Sequence, residues 1–160
     1  MTTNYFAPQV INIITDYLTR NNIEYTMENN HLINIPGYSI SGRVYKMQVL
    51  FDPELNILVF QIQQNQPFSP TDIHMVLELL NICNSDMSIG KYFLCPHCNR
   101  LTYRHPIFLT TQAVTDAQIS SFFDLTVQSF MVVSDAVGDE IAANSDVDRL
   151  SADESTTDDV

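Results

Sequence analysis

The chain has 160 residues, of which 45% are hydrophobic and 10% aromatic, enough for the core of one compact domain. Its formal net charge is −12, and residues 134–160 hold nine of the 19 acidic residues but a single base, Arg149. A surface of this sign repels phosphates and anionic lipid headgroups, which argues against a nucleic-acid-binding or membrane-surface protein.

The sequence also lacks the signals of export and membrane insertion. It has no run of about 18 apolar residues that would predict a transmembrane helix, and its first residues, MTTNYFAPQV, lack the basic-then-apolar order of a secretory signal. Three cysteines do not suggest a scaffold built on disulfides. We therefore expect a cytoplasmic protein.

The first predicted elements are a helix and two extended segments. Apolar residues at helical spacing predict an amphipathic helix over about residues 7–20. Residues 23–39 then predict two short extended segments around the Asn29-Asn30 pair, closed by the Pro36-Gly37 pair.

A hairpin and a second helix follow. Apolar residues alternate through residues 43–62 on both sides of a turn at 52–56, which predicts a hairpin with one buried face. The second helix is predicted to start near Ser69 as its cap, with Pro70 in the first helical position and Asp72 in the first turn.

The last predicted elements are two strands and a third helix. Residues 91–95 and 100–108 have strand-like patterns and flank a predicted turn. Thr115 and Gln118 have the spacing of a capping box, and Gly138 predicts the end of the helix.

The elements together predict an α+β fold: an antiparallel sheet of five or six strands with three helices. The order is helix, three or four strands, helix, two strands, helix, which is α-β-β-β-α-β-β-α with the smaller number of strands. Residues 1–137 are predicted to form this domain. Residues 138–160 have no aromatic side chain and abundant charge, so they cannot bury enough apolar surface to offset a chain entropy of about 1–2 kcal/mol per residue. We predict a disordered acidic tail there.

The motif Cys95-Pro96-His97-Cys98 has the spelling of a thiol-disulfide active site. In such enzymes the first cysteine lies at the amino end of a helix, whose dipole stabilises the thiolate. Here strand-like segments flank the motif, and no βαβ pattern surrounds it. We therefore interpret the motif as a turn with unreactive cysteines and predict no catalytic residues.

A zinc site is the alternative interpretation of the same motif, because a CxxC turn is how zinc knuckles present two thiolates. Cys95, Cys98 and His105 are the metal-ligand candidates, and two copies of the chain would complete four ligands with Cys95 and Cys98 alone. No second CxxC exists. The other cysteine and histidines are less suitably placed: His31, His74, Cys83 and His97. We therefore predict no metal and no other cofactor.

No further arrangement predicts catalysis. Four glycines are scattered singly, so there is no phosphate-binding loop. Asp52 and Glu54 flank a turn and are better explained as solvated loop residues than as an acid–base pair. Arg100 and Arg104 are suited to binding a carboxylate, but two arginines on a predicted hairpin do not define a site.

The order of elements and the segment PFSPTDIHMVLELLNICNSDMSIGKYFL, running into RLTYRHPIFL, resemble the YbjN family of bacterial proteins, described as sensory transduction regulators. The matching features are Asn81 and Asn84, residues 89–93, and the Tyr103-Arg104 pair. The resemblance covers about residues 8–133. It implies a fold like that of class I type III secretion chaperones, which are small, acidic, usually homodimeric and hold extended client segments. It implies no catalytic residues.

Three functions are open on these grounds. The first is a non-catalytic protein-binding module, a chaperone-like or adaptor protein that acts as a homodimer, because unpaired sheet edges and helix grooves accept partner segments. The second is a metal- or redox-responsive regulator that uses Cys95 and Cys98. The third is an acidic inhibitor or immunity-type protein that occupies a basic site on another protein, and this follows from charge alone.

Overall fold

Three helices and six strands succeed one another in the computed structural model, which describes residues 6–109 and 114–154. The predicted α+β class and the element order are confirmed, with four strands before the second helix. The bounds are α1 Phe6–Arg20, β1 Thr26–Asn29, β2 Leu32–Ile40, β3 Arg43–Asp52, β4 Ile57–Gln63, α2 Ile73–Ser85, β5 Lys91–Leu94, β6 Leu101–Phe108 and α3 Asp116–Glu154.

The six strands form one sheet in the order β1-β2-β3-β4-β6-β5, and every neighbouring pair is antiparallel. Strands β1 to β4 are added in sequence, and α2 then carries the chain past the β4 edge. The hairpin of β5 and β6 returns with β6 beside β4. The edge strands are therefore β1 and β5.

Helices α1 and α3 cover one face of the sheet. Side chains alternate between its two faces, and the buried set on β3 and β4 is Tyr45, Met47, Val49, Phe51, Leu58, Phe60 and Ile62. Phe123 of α3 lies at the centre of this core, where it stacks on Tyr17 of α1 and Tyr38 of β2 at ring-centroid distances of 5.3 and 5.8 Å. Phe60 meets the same ring edge-on at 5.0 Å. The helical face of the sheet is thus an ordinary apolar core.

Two predicted boundaries are wrong. The Pro36-Gly37 pair does not close the second extended segment, because β2 continues to Ile40 across a shift of register. Helix α2 begins at Ile73 instead of at Ser69, since Asp72 donates its backbone N–H to the Ser69 carbonyl at 3.0 Å and forms a turn first.

The start of α3 confirms the capping box, and its end differs from prediction. Thr115 N–H donates to Gln118 Oε1 at 2.9 Å, and Gln118 N–H donates to Thr115 Oγ1 at 3.3 Å. The predicted stop at Gly138 is wrong, because the helix continues to Glu154. Val137 and Ile141 extend its apolar stripe past the glycine. The domain boundary after residue 137 stays a prediction.

Candidate functional site

The face of the sheet opposite α1 and α3 carries a groove of about 650 Å³. Its floor is a row of cross-strand neighbours, Leu32, Leu50, Val59 and Pro106, from four successive strands. Residues 87–90 of the loop between α2 and β5 form one wall. The complete lining is Leu32, Gln48, Leu50, Val59, Gln61, Met87, Ser88, Ile89, Gly90, Lys91, Arg104, Pro106 and Phe108.

Several large apolar side chains of this groove are open to solvent. Leu50 is 44% exposed, Ile89 56% and Phe108 68%. Strands normally place polar residues on their solvent face, so apolar residues at these outward positions depart from that pattern. A concentration of exposed apolar side chains in one concave surface is typical of a binding site.

A ladder of hydrogen-bonded side chains crosses the sheet along one side of the groove. Arg104 Nε donates to Gln61 Oε1 at 2.6 Å, and Gln61 Nε2 donates to Gln48 Oε1 at 3.0 Å. Gln48 Nε2 donates to Asn34 Oδ1 at 2.7 Å, and Asn34 Nδ2 donates to Glu28 Oε2 at 3.3 Å. Every bond points from the cation towards the carboxylate, so each polarises the next. The ladder therefore fixes the orientation of Arg104.

The cationic end of this ladder lies at the β5–β6 side of the groove. The Arg104 guanidinium carbon is 4.9 Å from the centre of the Phe93 ring, a cation–π distance. Lys91 is the register partner of Arg104 on β5 and also lines the groove. Among the described residues, neither side chain forms an ion pair. The groove thus combines an apolar floor with two uncompensated positive charges.

Cys95 and Cys98 lie elsewhere, in the turn between β5 and β6. Cys98 and Asn99 donate their backbone N–H groups to the Cys95 carbonyl at 3.3 and 2.9 Å, and no helix begins at Cys95. The predicted turn is confirmed. Both cysteines are free thiols of intermediate burial.

The turn nevertheless stabilises one thiolate, which the sequence argument did not anticipate. The neighbouring Cys98 thiol and the backbone N–H of His97 lower the pKa of Cys95. The neighbouring Cys95 thiol raises the pKa of Cys98. Backbone N–H groups of this turn therefore help to stabilise a thiolate, as the amino end of a helix does in thiol-disulfide enzymes.

The structure does not bring the third metal-ligand candidate to these thiols. Gln63 Nε2 contacts Cys98 Sγ at 3.8 Å on the groove face of the sheet. His105 is buried on the other face, where Nδ1 is hydrogen-bonded to the Tyr103 hydroxyl at 3.0 Å. Within residues 6–109 and 114–154, no three His, Cys, Asp or Glu side chains are grouped as a metal site requires.

Sequence reasoning missed the groove. The signal was present in Leu50 and Val59, which are apolar residues at outward positions of β3 and β4. Val44 and Ile57 are also apolar at outward positions of these strands but do not line the groove, so the signal alone does not locate it. The loop that completes the groove gave no such signal, because its position over β6 depends on contacts between elements distant in sequence.

The chain matches one family model and is similar in fold to solved structures. The model of the YbjN family, described as "Putative bacterial sensory transduction regulator", matches residues 11–138. A solved structure, "Crystal structure of YbjN, a putative transcription regulator from E. coli", is similar with a TM-score of 0.56 and 13% identity, over 77% of this chain and 86% of that chain. No curated protein sequence matches. In the described part of the chain, no helix has both the length and the hydrophobicity of a membrane span.

Proposed function

This chain belongs to the YbjN family, and on that premise we propose that it is a non-catalytic regulator or adaptor that binds a partner protein through its groove. The observation that carries the proposal is the apolar floor of the groove on the sheet face opposite α1 and α3. Regulators of this kind act by binding, and the family is described as a regulator of sensory transduction.

The energetics support a protein segment as the bound group. Fully burying one side chain of the size of leucine or phenylalanine contributes about 1.5–3 kcal/mol. Leu50, Ile89 and Phe108 are close to half exposed or more, so covering them contributes roughly half of this amount or more for each side chain, in part offset by the entropy lost on association. We further propose a chaperone-like role, in which the groove holds a client segment in an extended conformation. The homodimer and the cytoplasmic location stay predictions.

The experiment that tests the proposal is affinity capture from a bacterial extract with matched variants. Leu50→Asp places a charge in the groove floor, and Val132→Asp places one on the exposed side of α3, where Val132 is 70% exposed. We expect proteins captured by the unchanged chain and by Val132→Asp to be lost with Leu50→Asp. Identical captured sets for all three chains would contradict the proposal.

A redox-responsive regulator is the second candidate, favoured by the tight turn in which Cys98 donates its backbone N–H to the Cys95 carbonyl at 3.3 Å. Two adjacent sulfurs, one with a lowered pKa, have the arrangement that reversible disulfide formation requires. Thiol titration before and after mild oxidation tests this function, and metal analysis of protein purified without chelator tests the zinc alternative. Retention of both thiols under oxidation would count against the redox function.

The acidic-inhibitor alternative stays a prediction that rests on the net charge of −12. Its test is the salt dependence of partner binding. Binding that weakens tenfold or more between about 50 and about 200 mM salt and is unchanged by Leu50→Asp would favour it over groove binding, because charge contacts outside the groove are screened by salt and do not depend on the groove floor.

A further inference from the structure

We propose that the groove recognises a short amphipathic segment of a partner protein, with apolar side chains for its floor and a carboxylate for Arg104 and Lys91. This inference rests on the proposed function, because it specifies the chemistry of the segment that the same groove binds. It assigns Arg104 and Lys91 as the residues that determine specificity.

The charge of the groove favours a ligand with a negatively charged group. The chain has 19 acidic and seven basic residues, yet the two charged side chains that line the groove are both basic. In a protein of net charge −12, an anionic ligand is repelled from most of the surface. The β5–β6 side of the groove is therefore a place where a carboxylate finds complementary charge.

The Arg104 side chain is held in an orientation that suits a carboxylate ligand. Its Nε is engaged by Gln61 and its guanidinium lies against Phe93, so the side chain is held by two contacts. The described structure gives its two terminal nitrogens no hydrogen-bond or ion-pair partner. A guanidinium held at Nε with free terminal nitrogens is arranged to donate to a carboxylate with little further loss of entropy.

The length of the groove floor determines how many residues of a partner segment it accommodates. The row from Leu32 to Pro106 crosses three inter-strand spacings, about 14 Å at roughly 4.8 Å each. An extended segment of about four residues spans this length at ~3.3 Å per residue. Its apolar side chains then contact Leu50 and Val59, and an acidic residue at the β6 end meets Arg104 and Lys91.

The test uses a displayed library of random 12-residue peptides selected on the full chain, followed by affinity measurement with synthetic peptides. We expect enriched peptides to carry at least two large apolar residues and a flanking Asp or Glu. Replacing that acid with its amide is expected to weaken binding about tenfold. The double variant Lys91→Gln/Arg104→Gln is expected to bind the acidic peptide about tenfold more weakly than the unchanged chain does. Replacing the acid of the peptide with its amide is expected to cause no further loss of affinity for this double variant.

The matched control is Lys46→Gln, which removes one positive charge from the same face of the sheet but on the other side of the ladder. We expect it to leave peptide affinity unchanged. Equal weakening by Lys46→Gln would overturn the inference, because it would show a general effect of charge. Circular dichroism melting of each variant confirms that the sheet is folded.

Other results separate the inference from the proposed function. Peptides that bind without an acidic residue, and are lost with Leu50→Asp, would overturn the inference and leave the proposed function standing. Peptides that bind Leu50→Asp as well as the unchanged chain would overturn both. A dimer in sedimentation equilibrium that Leu50→Asp dissociates, or binding of laurate with no peptide enriched, would overturn the inference by identifying a different occupant.

Discussion

Gly90 lies at the closest approach of the loop between α2 and β5 to strand β6. Its φ is +80°, in the left-handed region, and a Cβ there would lie 2.5 Å from the Tyr103 hydroxyl oxygen and 2.9 Å from the Arg104 carbonyl oxygen. Two independent constraints therefore require glycine at this position. Because Gly90 also lines the groove, the wall of the groove depends on a residue without a side chain.

Gly90→Ala is expected to lower the free energy of unfolding by about 2–4 kcal/mol, from the left-handed backbone and the displacement of Tyr103. Gly42→Ala is the control, because Gly42 has φ +76° but no atom within 4 Å of a built Cβ. It is expected to lose about 1–2 kcal/mol from backbone strain alone. Urea unfolding measures both, and equal losses would show that the contact with Tyr103 does not matter.

His105 is the buried titratable side chain of β6, and burial lowers its pKa from the ordinary value. The folded state therefore binds a proton less readily than the unfolded chain. Its contribution is fully present above the unfolded pKa of about 6.5 and is lost as pH falls from there towards the lowered folded pKa. We expect the free energy of unfolding to decline as the pH is lowered from about 7.5 to about 5.5.

His105→Gln is expected to make this decline shallower, and His74→Gln is the control because His74 is highly exposed on α2. Urea unfolding at several pH values measures the slopes. If the His105→Gln chain declined as steeply as the unchanged chain, another group would be responsible.

At the scale of elements, α2 is joined to β5 by one asparagine. Asn84 Nδ2 donates to the Tyr92 carbonyl at 2.7 Å, and Tyr92 N–H donates to Asn84 Oδ1 at 2.8 Å. The side chain thus satisfies both backbone groups of one strand residue. Tyr92 in turn donates its hydroxyl to the Ser129 carbonyl of α3 at 2.5 Å. These contacts place the loop that forms the groove wall.

Asn84→Ala is expected to lower the free energy of unfolding by about 1–3 kcal/mol, because it leaves two backbone groups of Tyr92 without their partners. Asn81→Ala makes the same change on an exposed position of the same helix. We expect it to stay within about 0.5 kcal/mol of the unchanged chain. Thermal melting compares them, and similar losses would contradict this account of Asn84.

Helix α3 contains Gly138 in its interior, with no atom within 4 Å of a built Cβ. Gly138→Ala is therefore expected to raise the free energy of unfolding by about 0.5–1 kcal/mol, because alanine loses less backbone entropy in a helix. A lowered free energy of unfolding would contradict a continuous helix at Gly138. Thermal melting and helical circular dichroism distinguish the two cases.

At the scale of the whole molecule, the two faces of the sheet have different roles. The face under α1 and α3 provides the core, and the other carries the groove and the polar ladder. Beyond Gly138, Ile141 is the one described side chain that packs against the core. Asn144 Nδ2 contacts Met75 Sδ of α2 at 2.7 Å. In composition, residues 143–160 hold six acids and one base.

Ending the chain after Ala142 is therefore expected to change the free energy of unfolding by less than about 1 kcal/mol. The formal net charge would become −7, from −12 less the −5 of residues 143–160. Urea unfolding checks the stability, and an unfolded or much weakened product would show that the domain boundary lies later than residue 137.

Much of the fold was predictable from the sequence, because period-2 and period-3.6 patterns report which face of an element is buried. The hairpin of β3 and β4 and the capping box of Thr115 are examples. The turn at Cys95 was also predictable, since the segments on both sides of it are strand-like. Local spacing failed at Gly138, where a helical glycine and a helix stop look alike.

Amino-acid order alone determined the class of fold and the apolar core face, since both follow from patterns among residues close together in the chain. Composition alone determined the excess of negative charge. Tertiary structure decided the groove, because Leu32, Leu50, Val59 and Pro106 become neighbours only when four strands pair in register. It also decided the orientation of Arg104, which depends on Gln61, 43 residues away. Pairing between distant strands is set by the packing of the whole domain, and no local pattern records it.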